Sequence, residues 1–184
     1  MKSLNNWLLV LSVLSCFGCS SPVHEDDRGC AFVSDSIQYR VEFMSAGCVR
    51  ILSLPEGDTL VTRRLVVDSE KPAFKDYKWE DTGQKLLFRT RELSVVFDKA
   101  DVVFTFQETS TGKLLLKEKG DRKARNFKRS VAGGEQCLEV TQRFVPTEDE
   151  AIYGLGQYQN GIMNYRGKSV LLLQANMDIV NPFR

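Results

Sequence analysis

A chain of 184 residues, 42% of them hydrophobic, carries enough apolar material for one packed domain and is too apolar to stay disordered. Its 25 Lys and Arg against 24 Asp and Glu leave a formal net charge of +1, which removes the electrostatic argument for nucleic-acid binding.

The chain starts with a lone Lys2 and then an apolar run, residues 7–18, about a dozen residues long. A membrane-crossing helix needs ~20. A charged start, an apolar middle and small residues at the end make residues 1–18 a secretory signal that takes no part in the fold. The run ends in Ser15-Cys16-Phe17-Gly18-Cys19-Ser20-Ser21. A cysteine straight after the apolar run and behind a small residue resembles a bacterial lipoprotein signal, in which that cysteine becomes acylated and N-terminal. Cys19 is the expected lipidation site, with Cys16 as the alternative; an ordinary cleaved signal with incidental cysteines is the plainer reading. The lipoprotein reading implies an exported protein held to the outer membrane by lipid alone, on its periplasmic or surface face.

Residues 20–28, SSPVHEDDR, are polar and acidic and read as a flexible tether spanning 19–29. The single histidine, His24, falls inside it. A fold that begins at Cys30 then holds no histidine, which excludes Ser-His-Asp or Cys-His catalysis and a histidine-ligated metal within it. Cys30, Cys48 and Cys137 are odd in number and lack C-x-x-C spacing, so neither a disulfide framework nor a zinc site is indicated. They are expected to pack as small buried apolar groups, and no cofactor or metal is expected.

From Ser36 onward the pattern has period two. Ile37, Tyr39, Val41 and Phe43 fall on one face, with Gln38, Arg40 and Glu42 on the other, as in a half-buried strand. Ser45-Ala46-Gly47 turns the chain back into residues 48–54, and Pro55-Glu56-Gly57-Asp58 is a second turn. Residues 60–67 read as another strand and 68–83 as a charged connecting loop. Strands follow at 85–90, 93–98 and 102–107, and Ser110-Thr111-Gly112 leads to one more at 113–118. Residues 120–129 are strongly basic; with only Phe127 interleaved, they read as a solvated loop rather than a nucleic-acid patch. Gly133-Gly134 turns into a strand at 135–144. Many short strands with close turn signals indicate an all-β antiparallel sandwich over residues 30–184.

Two motifs invite a catalytic reading and fail it. Gly154-Leu155-Gly156 lacks the third glycine and the following helix of a dinucleotide fingerprint. Glu148-Asp149-Glu150 clusters carboxylates, but as an acidic turn after Pro146 with nothing apolar around it to raise a pKa.

The stretch from Ala151 to Arg184 is chemically distinct. It holds only four charged residues, Arg166, Lys168, Asp178 and Arg184, against seven amides: Gln157, Gln159, Asn160, Asn164, Gln174, Asn176 and Asn181. Tyr153, Tyr158 and Tyr165 and four glycines lie among them. Amides donate and accept, and phenol rings offer a flat apolar face with a polar tip. That suits a neutral, hydroxyl-rich ligand such as a sugar; amide-rich turns between strands look the same.

Ala151-Ile152-Tyr153-Gly154-Leu155-Gly156-Gln157, then Gln159-Asn160-Gly161, Asn164-Tyr165-Arg166-Gly167 and Asn181-Pro182-Phe183, resemble the N-terminal β-sandwich of glycoside hydrolase family 31, closest to its α-xylosidase-like members from gut Bacteroidetes. The resemblance covers residues 30–184 and implies a galactose mutarotase-like sandwich, incomplete at its C-terminal end. Family members are exo-acting retaining α-glycosidases that use two aspartates on a (β/α)₈ barrel following the sandwich. The chain stops before that barrel, so no catalytic residue is carried over and the 184 residues are expected to hydrolyse nothing alone.

The resemblance further implies that the 158–165 loop lies near the mouth of the active site. There Tyr158, Gln159, Asn160, Asn164 and Tyr165 are candidates to bind an oligosaccharide with an α-linked terminal sugar, of xyloglucan type. The plainer role is cementing sandwich to barrel, and Tyr153, residues 171–173 and Phe183 would then lack packing partners here. The competing reading is a stand-alone carbohydrate-binding or structural β-sandwich lipoprotein without catalysis.

Overall fold

The structure is a computed structural model that describes residues 22–59, 73–120, 125–158, 160–172 and, for the backbone, 179–180. The expected signal, Cys16, Cys19, the strand at 60–67, Gln159, Leu173 and Asn181-Pro182-Phe183 lie outside the described residues. Every regular element among those described is a strand, and every recorded pairing is antiparallel. The chain divides into two compact units: the first runs to Lys78 and includes Thr90–Glu92, the second takes Trp79–Arg89 and everything from Leu93 onward.

The first unit is built on four strands in chain order: β1 (His24–Glu25), β2 (Cys30–Ser34), β3 (Ile37–Ser45) and β4 (Cys48–Pro55). The two-residue loop between β2 and β3 is Asp35-Ser36, with φ of 51° and 60°. Positive φ at both central positions matches the twist of the flanking strands and closes the hairpin tightly. Alternation along β3 sends Tyr39, Val41 and Phe43 into the interior, at 2%, 1% and 1% exposure, each side chain contributing roughly 1.5–3 kcal/mol by burial. Glu42 is buried as well, its carboxylate 3.5 Å from Arg50 on the facing strand. Period two alone assigned Glu42 to solvent.

The fold begins earlier than the sequence suggested. Residues 22–28 do not form a free tether, because β1 pairs with β2 and Asp26 receives both arms of the Arg40 guanidinium at 2.8 and 2.7 Å. The Arg28 and Gly29 amides also donate to Asp26. Tyr77 adds a third tie, donating its hydroxyl to Glu25 at 2.9 Å. His24 therefore belongs to the folded body.

The second unit contains a five-stranded sheet in chain order: β5 (Lys78–Asp81, entering from the unit boundary), β6 (Lys85–Arg89), β7 (Leu93–Asp98), β8 (Val103–Glu108) and β9 (Leu114–Lys117). Leu86, Phe88, Val95, Phe97 and Phe104 share one fully buried face, with the Phe97 and Phe104 rings 4.8 Å apart. β5 occupies part of the span expected to be a loop. From Arg125 the basic segment is likewise a strand, β10 (Arg125–Ala132), paired residue for residue with β11 (Glu135–Gln142); residues 121–124 lie outside the described residues. Gly133 and Gly134, at φ 60° and 85°, make its two-residue turn, where glycine meets the positive φ without strain. Short β12 (Gly156–Gln157) pairs with β13 (Ile179–Val180).

Cys30 is buried as expected, and burial pushes its thiol up to about 11. Cys48 and Cys137 are exposed thiols, contrary to the expectation of small core groups; both sit at or near the turn ends of hairpins, where side chains stay in water.

Candidate functional site

Residues 147–158 and 160–168, apart from the short β12, form irregular backbone that holds itself in shape through backbone capture. Arg166 donates from one guanidinium nitrogen to the carbonyls of Thr147 at 2.5 Å and Glu150 at 2.6 Å. Asn164 accepts the amides of Ile152 and Arg166 on its side-chain oxygen at 3.1 and 3.0 Å, and the Tyr165 amide donates to the Ile152 carbonyl at 2.8 Å. The Glu150 carboxylate accepts the Thr147 amide at 3.0 Å, closing the acidic turn on itself. Glu148 and Asp149 stay exposed. Asn164 and Arg166 thus act as the loop's scaffold, using asparagine's habit of replacing backbone partners in turns.

That scaffold frames an open hollow of about 480 Å³, within the ~300–1,000 Å³ typical of small-molecule sites. Aromatic walls come from Tyr153, Tyr158 and Tyr165, an apolar rim from Ile162 and Met163, and a bare backbone edge from Gly154, Gly156 and Gly161, with the Gln157 amide beside it. Tyr158 and Tyr165 meet edge to face, centroids 6.0 Å apart at 65°, a favourable arrangement of ring quadrupoles. Tyr165 is the fixed member, 6% exposed, and its hydroxyl donates to the Asn160 side-chain oxygen at 3.4 Å. The same oxygen accepts the Ile162 amide at 3.0 Å. Tyr158 donates its hydroxyl to the Leu155 carbonyl at 3.2 Å. Tyr153 and Met163 stand in solvent at 58% and 79% exposure.

Of the residues singled out from the sequence, Tyr158 and Tyr165 line the hollow, Asn160 braces it from behind, and Asn164 shapes the loop without lining it. Gln159 and Cys19 lie outside the described residues. Sequence reasoning missed Tyr153, Ile162 and Met163 as lining residues; the signal that could have found them is large apolar and aromatic residues set beside glycines in an otherwise amide-rich stretch. It also missed Leu155, a non-glycine residue at φ 54° between Gly154 at 93° and Gly156 at 121°.

A second hollow of about 280 Å³ lies in the first unit against Pro22, His24, Gln38, Arg40 and Leu52. Its one guanidinium, Arg40, is committed to Asp26. Among the described residues, no group of three or more His, Cys, Asp or Glu could hold a metal ion.

Residues 38–182 match the model of the glycosyl hydrolase 31 N-terminal galactose mutarotase-like domain. The chain is 31% identical over 163 residues to an alpha-xylosidase of Saccharolobus solfataricus, a match covering 80% of this chain and 20% of that protein. Among solved structures it is similar to the GH31 alpha-xylosidase of Xanthomonas citri, at 28% identity and a TM-score of 0.71 over 87% of this chain and 17% of that one. A GH31 alpha-xylosidase from a soil metagenome, solved with xylose, shares the fold at 24% identity and a TM-score of 0.60, over 85% of this chain and 25% of that one. The chain thus spans about a fifth of the length of the curated relative it matches. All-strand, antiparallel architecture and the family match together establish the all-β sandwich of galactose mutarotase-like type.

Proposed function

The chain belongs to the glycosyl hydrolase 31 family through its N-terminal galactose mutarotase-like domain, and on that premise we propose that it is the front domain of an exported, lipid-anchored, retaining α-glycosidase of α-xylosidase type. The catalytic aspartates belong to a (β/α)₈ barrel that these 184 residues do not include. The Tyr153–Tyr158–Tyr165 hollow forms part of the active-site mouth and receives an oligosaccharide with an α-linked terminal sugar, of the kind that carries xyloglucan's α-xylosyl branches. The observation that carries this reading is the hollow itself: three phenol rings, a glycine-lined backbone edge and an amide, with no charged side chain in the wall. Such a wall stacks on a sugar's apolar face and hydrogen-bonds its hydroxyls, and it offers no cation to neutralise a phosphate. The named activity of the relatives supports the sugar class.

The test is to assay xylose release from an α-xylosyl disaccharide by the 184-residue chain and by the product of the gene read past the codon for Arg184. The chain alone is expected to release none, and the longer product to release xylose with retained configuration. Hydrolysis by the 184 residues alone would refute the proposal. So would a longer product that carries no barrel; sugar binding without hydrolysis would then favour a stand-alone binding module.

A further inference from the structure

Among the described residues of the wall segment, Leu155 is the one whose backbone opposes its own side chain. Gly154 and Gly156 hold φ of 93° and 121° freely, because they lack a Cβ. Leu155 at φ 54° sits in the left-handed region, where Cβ crowds the following carbonyl. Such a conformation persists only where its surroundings over-determine it. One visible restraint is the Tyr158 hydroxyl, three residues on, which donates to the Leu155 carbonyl at 3.2 Å. On the other side of the turn, β12 (Gly156–Gln157) pairs with β13. The hollow's lining includes both glycines and Tyr158 but not Leu155.

We propose that Gly154-Leu155-Gly156 is a sprung turn and that the Tyr158 hydroxyl is its catch. With the catch closed, as observed, the phenol tip of Tyr158 is bound to the loop's own backbone, and its ring stands edge-on to Tyr165. With the catch open, the Leu155 backbone relaxes out of the left-handed region, β12 loosens, and the Tyr158 hydroxyl is released to the hollow. Leucine at position 155 keeps the two states close in energy; a residue at ease with positive φ would lock the turn shut. One consequence rests on the functional reading above: a sugar hydroxyl that bonds Tyr158 competes with the Leu155 carbonyl, so that ligand binding and opening of the turn are coupled. The device itself depends only on the geometry of the turn.

Amide hydrogen exchange on the 184-residue chain, without ligand, separates the two ideas. Tyr158→Phe keeps the ring and removes the catch. Exchange at Gly156 and Gln157 is expected to rise about tenfold as local opening becomes easier. The Tyr165 amide, bonded to Ile152 on the far side of the loop, should keep its wild-type rate. Adding Leu155→Asn to Tyr158→Phe should slow exchange at Gly156 and Gln157 again several-fold, since asparagine tolerates the left-handed region. Unchanged exchange in Tyr158→Phe would overturn the proposal. So would an equal rise at Tyr165, or a Leu155→Asn change that fails to restore protection. None of these results depends on whether the hollow takes a sugar, and a failure of sugar binding would leave the catch intact.

Discussion

Asp26 shows how one side chain decides where the fold begins. Bidentate hydrogen bonds from Arg40 outweigh the burial that opposes them and, with the Arg28 and Gly29 amides, hold its carboxyl well below the usual carboxylate range. Because the folded state binds that proton more weakly than the unfolded state, Asp26 contributes stability fully above the unfolded pKa of about 4. That contribution is lost as pH falls through the depressed folded value. Asp26→Asn should therefore cost about 1–2 kcal/mol at pH 7, and the gap between variant and wild type should close as unfolding is followed into acid. A gap that is constant with pH would show that the carboxylate charge is not what holds β1 in place. At the candidate site, residue types were legible before geometry was. Tyrosines and amides announced a sugar-suited surface, but Asn164 and Asn160 spend their side-chain oxygens on backbone amides, and no sequence pattern distinguishes a ligand-facing asparagine from a turn-building one. Tyr165→Ala, which removes a ring only 6% exposed, is expected to lower the unfolding free energy by about 3 kcal/mol; the exposed Tyr153→Ala should leave stability within about 0.5 kcal/mol.

At the scale of elements, what made a strand readable was its pattern and its turn signals rather than its burial: β9 and β11 were legible although both are largely exposed, and β10 was not. β3, β7 and β8 alternate because their inward positions are fixed by burial, as at Tyr39, Val41 and Phe43. β10 carries Arg125, Lys128 and Arg129 with Phe127 as the one large apolar residue among them, so its sequence shows no period-two pattern, whereas its equally exposed partner β11 follows a Gly-Gly turn that announces it. What fixes its base is Glu118, 1% exposed, which accepts the Phe104 amide at 2.9 Å, Gln142 at 3.2 Å and a close charged bond from Arg125. Burial pushes the Glu118 carboxyl up even with Arg125 beside it. Glu118→Ala leaves the 10%-exposed Arg125 side chain without its counter-charge, a loss expected to cost about 3–5 kcal/mol, and the β10–β11 amides should lose exchange protection before those of β7. Gly29 sets a steric limit of the same local kind. A Cβ there would come within 2.1 Å of the Val41 carbonyl oxygen at φ 153°, so Gly29→Ala should destabilise by about 2–3 kcal/mol.

For the molecule as a whole, the apolar surface is as informative as the core. Leu114, Leu115 and Leu116 on β9, at the end of the five-stranded sheet, are 41%, 52% and 37% exposed, and Tyr153, Met163 and Leu171 are more exposed still. Exposed leucines on the terminal strand of a sheet invite association. The 184-residue chain is accordingly expected to self-associate in light scattering as its concentration rises, and Leu115→Lys to reduce that association without shifting the unfolding midpoint. The central claim, a sugar-receiving wall on a front domain that lacks its own chemistry, is tested most directly by titrating the isotopically labelled chain with an α-xylosyl disaccharide while following amide shifts. The account predicts saturable shifts confined to residues 153–165 and the β13 partners at 179–180, weakened at least fivefold by Tyr153→Ala, with no xylose released. Saturable shifts confined to the first unit, or none at millimolar sugar, would contradict it.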